Sequence, residues 1–290
     1  MSSAVFSTSA AQSRPFVFDS EKEAEVCPQA DLFTEARPPQ RVGSAIFPGA
    51  FKDARLAGVT PASRLALRPA PEMVSSGIAA IDALTAGLPR GCLTEICGPA
   101  SSGRSTLMLA ALAVATRRGE FCAVVDASDA LDPLSLAAAG IELDRLLWVR
   151  CGENSHQAEH RLEQLLRTTD LLLESGGFGM IVLDLGDLPP QTARRIPLAT
   201  WFRFRRAVEP TPTVLLAVER QSIAGSCSSL LIKLGSMKLG MAENQACPPP
   251  THAQLLTEMK ITAELVRSRM DRKPVRSAEI TFASKTAWAG

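Results

Sequence analysis

Residues Gly98 to Thr106 read GPASSGRST, between an apolar run, Leu93–Cys97, and a helix-forming stretch that begins at Leu107. The spacing is G-x-x-x-x-G-basic-[Ser/Thr], the signature of a phosphate-binding loop between a strand and a helix. Such a turn aims backbone N–H groups inward, and the helix N-terminus adds the positive end of its dipole. Gly98 and Gly103 let the chain curl, with Pro99, Ala100, Ser101 and Ser102 spanning the curl. The amides from Ser101 onward would donate to phosphate oxygens, and Ser105 or Thr106 would hold Mg²⁺. The residue that is usually lysine is Arg104. It keeps the charge, but its planar fork is bulkier than a compact ammonium. Two readings follow: a site for ATP and Mg²⁺, or a loop kept for the fold with Arg104 paired to a carboxylate.

Other candidates lie at the ends of later apolar runs. Asp184 ends Met180–Leu183, where a second carboxylate that orients Mg²⁺ belongs in this class of sheet; a strand-end Asp can also cap a helix. Asp126, Ser128, Asp129 and Asp132 form an acidic turn. Asp129 is the candidate there for activating a water, whereas Asp132 before Pro133 suits a helix N-cap. Arg194, Arg195, Arg203, Arg205 and Arg206 cluster around Trp201, Phe202 and Phe204. Arg267, Arg269, Arg272, Lys273 and Arg276 form a second basic cluster. Either cluster could track the backbone of single-stranded DNA, or form a solvated face or a protein interface. His156, His160 and His252 have no companions at metal-ligand spacing. No G-x-S-x-G context supports a hydrolase triad.

The elements that must position these residues alternate along the chain. The strand Leu93–Cys97 precedes helix Ser105–Arg117; Phe121–Asp126 precedes Pro133–Ala139, ended by Gly140; and Leu146–Arg150 precedes Ser155–Glu174. Met180–Asp184 precedes helix Thr192–Val208, and Thr213–Glu219 closes the series. Short, continuous apolar strands between helices predict an α/β fold, a buried, mostly parallel sheet with helices on both faces. Ile261–Arg269 and Val275–Phe282, joined by a turn at Met270–Pro274, predict a C-terminal antiparallel hairpin at the sheet edge. The expected organisation is a flexible arm over 1–70, a core over 71–235, an exposed loop over 236–257 and the hairpin over 258–290. Within the arm, Val42–Leu67 keeps enough apolar residues to dock on a neighbour.

Composition narrows the function classes. The chain has 290 residues, 46% hydrophobic and 21% charged, and a net charge of +1. It therefore advertises no global affinity for nucleic acid, and any DNA contact must be local. Aromatics are 5% with no tyrosine, so stacking platforms for single strands are scarce. The seven cysteines form no C-x-x-C and fit buried thiols in a reducing compartment. No leader pattern and no apolar run of membrane length is visible, so the expected location is the cytoplasm.

The stretch VSSGIAAIDALTAGLPRGCLTEICGPASSGRST (Val74–Thr106) resembles the start of the bacterial RecA recombinase core. The likeness continues through Cys122–Cys151 and Met180–Leu185, within roughly 72–235. It implies a RecA-like P-loop NTPase core that binds ATP and Mg²⁺. The departures are as specific. The family's loop lysine falls on Arg104, and its catalytic glutamate falls on Ser128, leaving Asp129 the nearest carboxylate. The segment after Asp184 is shorter than in the recombinase and lacks much of its first DNA-binding loop. The strand that ends in Asn-Gln in the family ends here in Glu219-Arg220-Gln221, and the long N-terminal assembly helix is not evident. A core with these losses, the helix LATWFRFRRA and a basic C-terminal hairpin is similar to the ImuA group of RecA-like accessory proteins. That likeness implies SOS-linked DNA repair beside a translesion polymerase-type partner or RecA, with slow or absent ATP hydrolysis. Two alternatives remain at this point: a working DNA-dependent ATPase that forms filaments on single-stranded DNA, and a scaffold that binds no nucleotide.

Overall fold

The computed structural model describes residues 70–151, 158–235, 238–239, 258–270 and 278–285. The expected arm up to residue 69, Arg272, the hairpin turn beyond Met270 and the expected loop 236–257 apart from Lys238–Leu239 lie outside them. In chain order the elements begin with β1 (Met73–Val74), α1 (Ala79–Thr85), β2 (Leu88–Pro89), β3 (Cys92–Cys97), α2 (Arg104–Arg117) and β4 (Cys122–Asp126). There follow α3 (Pro133–Ala138), β5 (Leu146–Arg150), α4 (Ala158–Ser175), β6 (Met180–Asp184), α5 (Pro190–Ala193) and α6 (Leu198–Val208). The described chain ends with β7 (Val214–Glu219), β8 (Leu230–Leu234), β9 (Lys238–Leu239), β10 (Glu258–Ser268) and β11 (Ala278–Lys285).

The main sheet has the order β11-β10-β8-β3-β7-β6-β4-β5, with β9 also pairing β10. Every pair from β8 to β5 is parallel. β10 joins β8 antiparallel and β11 joins β10 antiparallel, so the C-terminal hairpin extends the sheet at one edge. The fold is thus the expected α/β core with a mostly parallel sheet.

Alternation along the strands divides the core into two layers. Met180, Val182, Val214, Leu216 and Val218 pack with Leu107, Met108 and Leu112 of α2 on one face. Ile181, Leu183, Leu215 and Ala217 pack with Leu162 and Leu165 of α4 and Trp201 and Phe204 of α6 on the other. Trp201 and Phe204 meet edge to face, ring centroids 6.0 Å apart, and both are fully buried.

Four features differ from the sequence expectation. The single helix over Thr192–Val208 is two, α5 and α6, because Pro197 removes a backbone donor and forces the preceding residue out of the helical region. The parallel series does not close at Glu219: LLIKL at 230–234 forms β8 beside β3. Helix α1, with Ile81 buried, precedes the first main strand. Within the expected loop 236–257, Lys238–Leu239 pairs with Met259–Lys260.

Candidate functional site

Parallel order brings the carboxyl ends of β3, β7, β6 and β4 to one edge of the sheet, where open α/β sheets place ligands. Here Cys97, Glu219, Asp184 and Asp126 end their strands; Cys97 lies in register with Glu219, and Asp126 with Asp184.

The loop after β3 keeps the geometry that its glycines require. Gly103 has φ 86° and caps α2, a conformation closed to most side chains. Ser101 also takes a left-handed φ, 58°. A Cβ on Gly98 would stand 2.5 Å from Ser102 Oγ and 2.6 Å from the carbonyl of Leu234. The Gly98 amide donates to the carbonyl of Glu219 at 3.2 Å, which ties the loop to β7. Ser102 is buried, and its Oγ has no hydrogen-bond partner. Pro99, Ala100, Ser101 and Ser105 are exposed. A glycine turn that leads into a helix N-terminus can take an anion such as a phosphate group on its backbone amides.

Arg104 is buried, 8% exposed, and its Nη1 donates to the carbonyl of Gly186 at 3.2 Å. Burial pulls its pKa down; the carboxylates of Asp184 and Asp187 oppose that pull. Asp184 Oδ1 accepts from the Gly186 amide at 2.9 Å. Burial, with Asp126 and Asp187 nearby, pushes the Asp184 carboxyl up to about 6. Arg220 Nε donates to the same Gly186 carbonyl at 2.9 Å. Two guanidinium groups therefore converge on one oxygen beside the loop.

Asp126 is fully buried and spends both oxygens locally, accepting from the amides of Ser128 (3.0 Å) and Leu131 (3.1 Å). Asp129 forms a two-point ion pair with Arg150, at 2.5 Å to Nε and 2.8 Å to the second nitrogen. A carboxylate held this way, with its pKa lowered by the Arg150 hydrogen bond, is a weak base. Asp132 caps α3, accepting from the Ser135 amide at 2.8 Å.

Behind the loop lies a pair that sequence reasoning missed. Glu95, on β3, and Glu219 are both buried. Glu95 accepts from the amides of Ile223 (2.9 Å) and Ala224 (2.8 Å) and from the Ser222 hydroxyl. Burial would raise its pKa, but the hydrogen bonds it accepts hold it below the ordinary value. Glu219 goes the other way: burial and the adjacent Glu95 raise it well above the usual range. Two carboxylates buried side by side drive each other's proton affinities apart, upward at Glu219. The signal was present in the sequence as one charge inside the apolar run CLTEIC.

The basic clusters are partly spent on structure. Arg203 holds Asp170 of α4 at 3.0 and 2.7 Å and lies over the Phe204 ring. Arg195 pairs with Glu159, and Arg194 with Gln221. Arg205 and Arg206 lie in the last turn of α6; Leu198 (58% exposed) begins the same helix and Phe202 (54% exposed) lies one turn before them. Arg267 donates to the Gly225 carbonyl and to Ser228 Oγ, which docks β10 on the core. Arg269 follows β10, its amide bonded to the Ser229 carbonyl. Among the described residues there is no cluster of three metal-ligating side chains and no helix long and apolar enough to cross a membrane.

Residues 66–193 match the model of the RecA N-terminal domain. A protein RecA of Ectopseudomonas oleovorans is 41% identical over 115 residues, which is 39% of this chain and 31% of that protein. A protein RecA of Deinococcus radiodurans is 40% identical over 115 residues, 39% and 30% of the two chains. The chain thus spans about a third of the length of these curated relatives. The crystal structure of the RadB recombinase aligns over 71% of this chain and 94% of its own, with 18% identity and a TM-score of 0.49.

Proposed function

We propose, from the RecA-type strand–loop–helix that residues 66–193 contain, that this chain is a RecA-like DNA-repair protein. It acts as an accessory factor in damage tolerance, holding a nucleotide at residues 98–106 with little or no hydrolysis. One observation carries this reading. The glycine turn at residues 98–103 supports an anion-receiving loop, and no free carboxylate stands at Ser128 or Asp129 to activate water. Ser128 stands where the resemblance places a glutamate, and Asp129 is held by Arg150. A positioned general base contributes about 10²- to 10⁴-fold in rate, so its loss turns a motor into a slow or static binder.

The partner surface belongs to α6 in this reading. On it Arg203 is paired with Asp170, and just before it Arg195 is paired with Glu159, while Leu198 and Phe202 of the helix stand exposed. Mixed apolar and paired charge suits a protein, a translesion polymerase-type subunit or RecA itself, better than a bare phosphate backbone. The role is tested in cells. Deleting the gene is expected to lower mutation frequency after ultraviolet damage, and the intact gene in trans to restore it. Unchanged damage-induced mutation in the deletion strain overturns the assignment.

A further inference from the structure

The two basic clusters that are separate in the sequence meet on one surface. Along α6, Leu198, Phe202, Arg205 and Arg206 recur at three- and four-residue spacing, so they share one face of the helix. Arg203 leaves by the other flank, to Asp170 of α4. The second cluster reaches this surface through a bulge. In β10, Ile261, Ala263 and Leu265 alternate into the core layer of α2, and strict alternation would send Arg267 there too. The register with β8 shifts between Leu265, opposite Ile232, and Arg267, opposite Leu231. That slip turns Arg267 to the face of the sheet that carries α6. There its guanidinium donates to the Gly225 carbonyl and to Ser228 Oγ. A Cβ on Gly225 would lie 3.4 Å from the Leu198 side chain, so one turn residue separates the β10 arginine from the apolar start of α6. Arg269, exposed, follows in the chain, its amide on the Ser229 carbonyl at 2.9 Å.

The charge of this surface is not balanced from within. Arg203 is matched by Asp170, but Arg205, Arg206 and Arg269 have no carboxylate partner among the described residues. The described carboxylates nearest to them along the chain are Glu209, just after α6, and Glu264, which stands opposite Lys233 in the register of β10 and β8. We propose that Leu198, Phe202, Arg205 and Arg206 of α6, with Arg267 and Arg269 of β10, form one docking surface for an acidic amphipathic helix of a protein partner. The inference rests on the reading of α6 as the partner surface and names what that surface takes. Two apolar residues one helical turn apart fit two at the same spacing on a partner helix. Arginines from two elements receive the carboxylates beside them. Single-stranded DNA would need successive aromatic platforms. Of its aromatic side chains α6 exposes Phe202 alone, with Trp201 and Phe204 buried, and Leu198 cannot stack on a base.

The test is fluorescence anisotropy of a labelled synthetic helical peptide of about 18 residues, with leucines four apart and glutamates flanking them, titrated with the full chain. This peptide is expected to bind at least about tenfold more tightly than the same peptide with lysines in place of its glutamates. Phe202→Ser and Arg269→Glu, both at exposed positions, should each weaken binding about tenfold while melting as wild type does. An equimolar unlabelled thymidine oligonucleotide should leave the peptide in place. Equal affinity for the two peptides, or wild-type affinity in either variant, overturns the inference. So does displacement by the oligonucleotide, which makes the surface one for nucleic acid. The damage-tolerance role is decided separately, by mutation frequency in the deletion strain. A peptide that does not bind, with mutation lowered in that strain, removes this surface alone; a bound peptide with mutation unchanged removes that role and leaves the surface standing.

Discussion

Replacing Glu95 by alanine is expected to lower the stability of the core by about 4 kcal/mol. The melting temperature should fall on the order of 10 °C, seen by calorimetry or circular dichroism. Glu95 is fully buried in β3 and accepts hydrogen bonds from the amides of Ile223 and Ala224 and from Ser222. Without it, the buried Ala224 amide loses its acceptor, the Ile223 amide keeps only Glu219, the chain after β7 loses its anchor and a cavity opens in the core. Glu219→Gln is expected to behave oppositely. The folded pKa of Glu219 is raised, so the folded state binds its proton more tightly than the unfolded state. Its favourable contribution is full below the unfolded value, about 4.5, and is lost as pH rises through the folded value. Glutamine fixes the neutral form, so the variant should match wild type in acid and be the more stable of the two in mild alkali, by about 1–2 kcal/mol. If Glu95→Ala melts within a degree or so of wild type, the buried pair is not what joins β3 to β7.

The second large effect is expected at Gly98. A single added methyl group would stand 2.6 Å from the Leu234 carbonyl, a backbone atom that cannot step aside, and 2.5 Å from Ser102 Oγ. Gly98→Ala must therefore displace the loop or β8, and the displaced amides no longer converge on one anion. Affinity for ATP should drop at least about 100-fold, equivalent to about 2.7 kcal/mol. The stabilisation expected of wild type in saturating ATP should be absent, although the variant still melts cooperatively. Equal nucleotide-induced shifts in Gly98→Ala and wild type would remove the loop from any account of binding.

How much of this was legible in the sequence depended on whether a signal was local. β3, β4, β5, β6 and β7 show as short apolar runs, and two of them, Leu146–Arg150 and Met180–Asp184, match the structure residue for residue. The loop was visible because its glycines are set by backbone geometry, which the chain must encode in place. β8 was missed because LLIKL carries a lysine and lies between loop signals; what makes it a strand is its neighbour β3, more than a hundred residues away. α6 was joined to α5 because the arginine and aromatic pattern ran on, although Pro197 already marked the break.

Within the site, spacing located Arg104, Asp129 and Asp184 but not their partners. Asp129 pairs with Arg150 across β4 and β5, Arg104 and Arg220 meet on Gly186, and Glu95 meets the chain after β7. These are long-range facts, fixed by strand order rather than by any window of sequence. They bear directly on function. In the proposed reading they make the loop a cradle whose candidate water-activating carboxylate, Asp129, is tied to Arg150.

The most direct test of that claim is the fate of bound ATP. An excess of the purified full chain is mixed with radiolabelled ATP and single-stranded DNA, and bound nucleotide is separated and identified over time. The account predicts that the label stays with the protein as ATP and accumulates little ADP, with or without DNA. Rapid, DNA-stimulated conversion to ADP that disappears in Asp184→Ala would contradict it.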